Sequence, residues 1–294
     1  MRDIQKVLVI GATGMLGNPV TRALVREGYS VRALVRGRRA LLPDAVEQVE
    51  GDLFDSTALA RAFAGRDAVY LNLAIQPSQT EHDRLAEREG LAAILAAARL
   101  AQVARVVSIS PLVKAYQGTH GFDWWVFRVK QAAEAAIMAS GLPYTMFRAS
   151  SFFENLEAGM RRGDNISVAG DALYPQWYLS AREYGQMVAE ALRRPGSAGR
   201  VYVAQGPEAL TPRELAERYV AARRPTPLKV QRVPLGMLTF VGTFSRPVRF
   251  AAKLLSAMNR YHERFEAQTT WAELGPATTT VETYARARAA TVAR

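Results

Sequence analysis

Gly11, Gly14 and Gly17 stand three residues apart, directly after the apolar run KVLVI (6–10) and at the start of the helical pattern MLGNPVTRALVREG (15–28). Each glycine has a task in such a turn. Gly11 permits a sharp exit from a strand, Gly14 lets a diphosphate approach the backbone, and Gly17 lets the helix pack closely on the sheet. The helix then turns its free N–H groups and positive dipole end toward an anion. Gly11, Thr13, Gly14, Met15, Leu16 and Gly17 are therefore the candidate dinucleotide contacts. The plain alternative is a set of tight turns with no ligand. A strand before, a helix after and a second strand beyond are the context the motif requires.

That second strand, SVRALV (30–35), runs into Arg36, Arg38 and Arg39, with no acid until Asp44. A bare ribose 2′-hydroxyl is usually met here by a carboxylate, whereas a 2′-phosphate needs cations. A guanidinium fork suits a phosphate dianion. Arg36 and Arg39 thus point to NADP(H) over NAD(H), against the alternative of surface arginines in an arginine-rich chain. Further along, WWVFRVKQAAE (124–134) sets two tryptophans and a phenylalanine ahead of Lys130, one of only five lysines among 38 basic residues. Lys130 is either a working group or a helix-surface charge facing Glu134 one turn on.

The elements that would position these residues follow from periodicity. KVLVI, SVRALV, VEQVEG (46–51), DAVYLNLA (67–74), VARVVSIS (103–110) and PYTMFRAS (143–150) have the pattern of strands. Between them, residues 15–28, 56–65, 80–101 and 125–141 carry apolar side chains at helical spacing. Three of these helices close on Gly28, Gly65 and Gly141, suiting left-handed caps. Strand–helix alternation predicts an α/β fold, a Rossmann-type doubly wound parallel sheet covered on both faces. After Ser150 the rhythm breaks into loops and aromatics. The organisation expected is a dinucleotide-binding domain over 1–150, its sheet completed by residues within 180–206. A smaller C-terminal substrate lobe would take 151–179 and 207–294. Within it, Thr211, Pro212 and Glu214 spell a capped helix start.

Composition narrows the class. Of the 294 residues 49% are hydrophobic, enough for a substantial core. No apolar run approaches membrane-spanning length. The strand-like start leaves no room for a secretory signal, and zero cysteines exclude disulfides, thiolate metal sites and cysteine nucleophiles. A cytoplasmic protein is the simplest expectation. The net charge is +11, but the basic residues are scattered rather than clustered, which argues against a nucleic-acid footprint. His82 and His262 lack neighbours at metal-ligand spacing, so no metal is expected.

With these residues in hand, the chain resembles the NmrA-like branch of the atypical short-chain dehydrogenase/reductases. IGATGMLG, VRALVR, GDLFD (51–55), GLPYTMFRASSFFENL (141–156) and TTTVETYAR near the end carry the likeness over nearly the whole chain. Arg148-Ala149-Ser150 stands where Arg-Pro is frequent. The resemblance implies that Asp52 and Leu53 lie beside adenine, and Asn72, Leu73 and Ala74 beneath the adenosine side. Ser108 and Ser110 fall at the superfamily's serine position, and Lys130 matches its lysine, which holds the nicotinamide ribose. The partner tyrosine four residues earlier is absent, because Val126 stands there. A valine donates no proton.

Three routes remain open. Hydride can pass directly to a quinone-like acceptor, with water completing the protonation. A lysine of lowered pKa can be the acid. Or the protein binds NADP(H) without turnover and reports redox state through a protein partner. Sugar-nucleotide epimerisation, which needs the tyrosine, is disfavoured. Tyr116, His120 and Asp123 in LVKAYQGTHGFDWW (112–125) are candidate replacement acids, against the preferred alternative that a histidine in a glycine-flanked loop, His120, is simply solvated. Trp124, Trp125, Phe152 and Phe153 either line a pocket for a planar acceptor or pack the lobe. RPVRFAAKLLSAMNRY (246–261) is a basic amphipathic helix that either meets an anionic membrane or, the preferred alternative, covers its own core. The expected reading is NADPH-dependent reduction of a quinone-like or conjugated small molecule, with the sensor as rival.

Overall fold

The computed structural model describes residues 3–37, 41–171, 173–223, 225 and 227–292. Strands and helices alternate through the first half: β1 (Lys6–Ile10), α1 (Gly17–Arg26), β2 (Ser30–Val35), β3 (Glu47–Glu50), α2 (Ser56–Phe63), β4 (Ala68–Leu71), α3 (Leu91–Leu100), β5 (Arg105–Pro111), α4 (Trp125–Met138) and β6 (Tyr144–Ala149). Then come β7 (Arg161–Arg162), β8 (Asn165–Ala169), β9 (Gln176–Trp177), α5 (Ala181–Arg193), β10 (Arg200–Ala204) and β11 (Ala209–Leu210). The chain continues with α6 (Pro212–Ala222), β12 (Lys229–Val233), α7 (Leu235–Gly242), α8 (Arg246–Met258), α9 (Gln268–Leu274) and α10 (Val281–Val292).

Seven strands form one sheet in the order β10-β6-β5-β4-β1-β2-β3, and every pair in it is parallel. This is the Rossmann-type doubly wound sheet. Alternation along β1 explains the two buried faces. Val7 and Val9 enter one core with Val20, Leu24, Tyr184 and Val188, beneath α1 and α5. Leu8 and Ile10 enter the other with Leu59, Phe63, Ile94 and Leu95, beneath α2 and α3. The central strands β1 and β4 carry almost uninterrupted apolar side chains, while the edge strand β3, Glu-Gln-Val-Glu, stays largely exposed. Chain order reverses between β1 and β4, and the crevice beyond the strand ends at such a switch point is where ligands bind.

A third core gathers Phe153, Leu156, Ile166, Tyr178, Leu215, Tyr219 and Tyr284 from the later segments. It sits on a small sheet in which β8 pairs antiparallel with β7 and parallel with β12. The capped start of α6 is present: Glu214 N–H donates to Thr211 Oγ1 at 3.2 Å and Thr211 N–H to Glu214 at 2.8 Å. Gly28, Gly65 and Gly141 hold φ of 87°, 66° and 75°.

Two local expectations need correction. Residues 80–101 do not form one helix, and only Leu91–Leu100 is α-helical. Thr80 N–H and Oγ1 donate to Asp83 at 2.6 and 3.0 Å, and Leu85 N–H donates to Glu89 at 2.9 Å. These side chains offer the backbone partners that compete with helix. A widened turn over 86–90 follows, closed by Gly90 N–H donating to Leu85 O at 3.1 Å. The fourth strand also stops at Leu71; Asn72 N–H still donates to Ile10 O at 2.9 Å, and Leu73 and Ala74 lie beyond the strand.

Tyr184 ties the sheet to its outer layer. It is 0% exposed, accepts a hydrogen bond from Tyr70 Oη at 3.3 Å, and meets Phe147 and Phe152 edge-on at 5.4 and 5.6 Å. Tyr184→Ala is expected to cost about 3–5 kcal/mol, and Tyr184→Phe only about 1 kcal/mol. Denaturant unfolding of the two variants checks this, and equal losses would show that the hydroxyl pair rather than ring packing dominates.

Candidate functional site

The glycine turn closes on itself and on the next strand. Gly11 has φ +85°, and a Cβ there would lie 2.3 Å from Asn72 O. A Cβ on Gly17 would lie 1.9 Å from Gly11 O. The start of α1 therefore lies tight against the residue that leaves β1. Gly14 N–H donates to Gly11 O at 3.1 Å and Asn18 N–H to Gly14 O at 3.0 Å. The α1 N-terminus has no side-chain cap, so its dipole end faces the space outside the turn.

That space is a cleft of about 830 Å³, lined at this end by Gly11, Thr13, Gly14, Met15 and Leu16. The volume lies within the roughly 300–1,000 Å³ typical of cofactor sites. Arg36, Asp52, Leu53, Asn72, Leu73 and Ala74 continue the wall. Arg39, like Arg38, lies outside the described residues. Arg84, which its apparent helical setting hid, brings its guanidinium 4.0 Å from the centre of the Phe54 ring, and both line the cleft. The group that the glycine turn implies fits this wall, since an added Cβ at the turn would collide with backbone and cations stand beyond the second strand.

At the far end, Val126 and Lys130 face the cleft from one side of α4, with Ser110 at the end of β5. Lys130 does not pair with Glu134. Its Nζ donates to Glu87 Oε1 at 2.6 Å, from the widened turn before α3. Glu134 is taken by Lys114 at 2.5 Å and Arg148 at 2.9 Å. Burial raises the Glu134 carboxyl, but Lys114 and then Arg148 overcome it and leave the pKa below the ordinary value. Burial likewise lowers Lys114, which is not on the cleft. Ser110 Oγ is buried beside the Glu134 carboxyl, which it helps to hold ionised.

The remaining expected residues divide. Trp124 and Phe152 line the cleft. Phe153 does not: it stacks between Tyr178 and Tyr284 in the third core. Tyr116 is buried against Phe122. His120 is exposed in a tight turn, with φ 49°, and stands off the cleft. Asp123 is exposed and bound to Arg128. Neither His120 nor Tyr116 reaches the cleft, because the 112–122 segment folds its aromatic side chains down onto α4 and leaves its polar tip in water.

Glu263 and Tyr261, which no motif marked, line the cleft from the segment after α8. Glu263 accepts from Gln205 Nε2 at 2.7 Å and from Ser150 Oγ at 2.9 Å. Burial is the larger influence and raises its pKa above the ordinary 4.5, while these bonds pull it back. Burial also pushes Tyr261 up to about 12. The folded state thus favours protonated Glu263. Its contribution to stability is complete below the ordinary glutamate value and is lost as pH rises through the raised one. Glu154, also raised by burial, acts in the same direction. Between about pH 5 and pH 8, Glu263→Gln should gain stability relative to wild type. Thermal denaturation across that range checks this, and parallel curves would show that burial of Glu263 carries no such penalty.

The chain matches a family model described as NAD(P)H-binding over residues 11–195. It is 33% identical to a (4-alkanoyl-5-oxo-2,5-dihydrofuran-3-yl)methyl phosphate reductase of Streptomyces griseus, over 71% of this chain and 70% of the relative. It is 27% identical to an NAD(P)H azoreductase of Xenophilus azovorans, over 74% and 73%. An NADPH-dependent quinone oxidoreductase from Escherichia coli, solved with NADPH, shares the fold with a TM-score of 0.73 at 21% identity, covering 96% of this chain and 99% of that one. Among the described residues no helix is long and apolar enough to cross a membrane. A glycine turn at the switch point of a seven-stranded parallel sheet and a matching family model together place the chain in the NAD(P)H-binding, NmrA-like reductase family of the atypical short-chain dehydrogenase/reductases.

Proposed function

We propose that the cleft binds NADPH and that the protein reduces a quinone-like or conjugated small molecule beside it. The observation that carries this is the placing of Val126 and Lys130 together on a cleft continuous with the glycine turn. Gly11, Thr13, Gly14, Met15 and Leu16 would hold the diphosphate by backbone N–H groups and the α1 dipole. Arg36, with Arg39, would grip the 2′-phosphate, and Asp52, Leu53 and Asn72 to Ala74 would flank the adenosine. NADPH supplies the hydride. Lys130, held in place by Glu87, would bond the nicotinamide ribose, and Ser110 Oγ would meet the ring's neighbourhood.

The acceptor would lie against Trp124, Val126, Phe152, Phe250, Leu254 and Tyr261, a mostly apolar wall. Such a wall orients a planar molecule without a strong acid, which is what hydride transfer to a conjugated acceptor asks of a protein. Water would complete the protonation. The segments beyond Ser150 would act as the substrate lobe, with the sheet completed by β10, and the cytoplasm suits a cysteine-free chain drawing on NADPH. One observation favours the sensor reading instead, namely Val126 in place of a proton-donating tyrosine. In that case the cleft would hold NADP(H) without turnover, and a protein partner would read its state.

Two outcomes are expected. Arg36→Ala should weaken NADPH roughly tenfold while leaving NADH affinity almost unchanged. Fluorescence titration of both nucleotides reads this, and equal losses would remove the case for a 2′-phosphate grip. With a panel of quinones, loss of dihydronicotinamide absorbance should be catalysed by the wild type and about a hundredfold slower in Lys130→Ala. Tight NADPH binding with no turnover of any acceptor would favour the sensor.

A further inference from the structure

α7 breaks the rule that an apolar helix is a buried one. Its sequence, LGMLTFVG, has one polar side chain, Thr239, and that hydroxyl bonds back to Leu235 O at 3.0 Å. Yet only Gly242 of the helix is buried. Met237 is 51% exposed, Phe240 67%, and Phe244 just beyond it 82%. A helix apolar on all sides ordinarily lies inside a protein or in lipid. Singly exposed apolar residues need no explanation, but a contiguous patch does. The Phe240 and Phe244 rings pack edge to face at 5.8 Å, so they form one wedge.

The wedge is rigidly mounted and basic at its root. α7 and α8 form a hairpin in which a Cβ on Gly242 would lie 2.9 Å from Arg249 Cα. Arg249 Nε donates to Gly242 O at 2.9 Å, closing the end of α7. Arg246, Arg249 and Lys253 are exposed beside the tip. No Asp or Glu occurs between Glu217 and Glu263. The other side of α8 is occupied, since Phe250, Leu254 and Met258 line the cleft. Ala257, Phe250 and Leu254 of α8 pack with Trp124 and Phe127, so one side of α8 turns inward, while the apolar side chains of α7 stay exposed.

We propose that the α7–α8 hairpin docks the protein on an anionic phospholipid surface, with Phe240, Phe244 and Met237 entering the acyl boundary and Arg246, Arg249 and Lys253 meeting the headgroups. An aromatic wedge flanked by cations, with no carboxylate in the hairpin itself, is complementary to that surface, and Asp83 and Asp123 lie near Arg246 and Lys253 at its root. α7 is eight residues long, so it enters one leaflet without crossing. A second copy is a poorer occupant, because a two-fold contact through α7 would bring each copy's cations onto the other's. The proposal goes beyond the reductase reading and does not depend on it. Its consequence would be to set the rim of the cleft, through α8, at the lipid boundary.

Sedimentation with vesicles tests this without any acceptor or turnover. The full chain should co-sediment with vesicles of phosphatidylglycerol and phosphatidylcholine in equal parts, and not with phosphatidylcholine alone. Added salt should release much of it. Phe240→Ser combined with Phe244→Ser should weaken the partitioning by at least about tenfold, and Arg246→Gln with Lys253→Gln should weaken it as well. All four side chains are exposed, so circular dichroism and NADPH affinity should match wild type. Three results would overturn the proposal. One is no preference of the wild type for anionic vesicles. Another is undiminished binding by the double phenylalanine variant, which would leave a diffuse charge effect. The last is a wild-type oligomer that the phenylalanine variant splits, which would make the wedge an interface between copies.

Discussion

The whole site hangs on a steric contact: the backbone of the glycine turn lies against itself and against Asn72 with no room for a methyl group. With Gly17 closed over Gly11 O and Gly11 over Asn72 O, α1 begins directly at the switch point. Its N-terminal N–H groups and dipole are thereby aimed into the cleft rather than along the sheet. The neighbouring walls are set by the ends of β2, β4 and β5, which the parallel sheet brings to one edge, and the far walls by α4, α8 and the segment after α8. A chain that could not close this turn would still make a sheet, but it would have no anion seat at the sheet's midpoint.

Charge placement divides the Lys130 end of the cleft into two separate groups of ion pairs. Buried Lys114 and Glu134, with the partly exposed Arg148, form a set behind the cleft, while Glu87 holds Lys130 at its edge. An ammonium with one carboxylate partner keeps further donors for a ribose. Val126 closes the usual route for a proton one helical turn away. Across the cleft, burial raises the pKa of the Glu263 carboxyl, and Ser150 links that carboxyl to the loop after β6. The arrangement suits acceptors that take hydride before they need a proton.

Much of this was legible in the amino-acid order, for identifiable reasons. Doubly buried strands are continuous apolar runs, so β1, β2, β5 and β6 stand out, and the glycine spacing marks the turn. The capping box at Thr211 is a local signal and was correspondingly clear. What was hidden depended on long-range packing. Asp83 and Glu89 turn an apparently helical stretch into loop, and only there can Arg84 reach Phe54 and Glu87 reach Lys130. Glu263 lies more than a hundred residues beyond Ser150, with no motif around it. His120 looked chemical because of its loop. Its neighbours fold inward onto α4 and leave it in water. α7 had the apolar pattern of a core helix, and no local feature of its sequence told that nothing covers it.

Calorimetric titration of NADPH into the purified protein tests the central claim most directly. Saturable one-to-one binding, competed by NADP and weaker for NADH, is the expected result. Absence of heat with every pyridine nucleotide, from protein that is folded by circular dichroism, would contradict it.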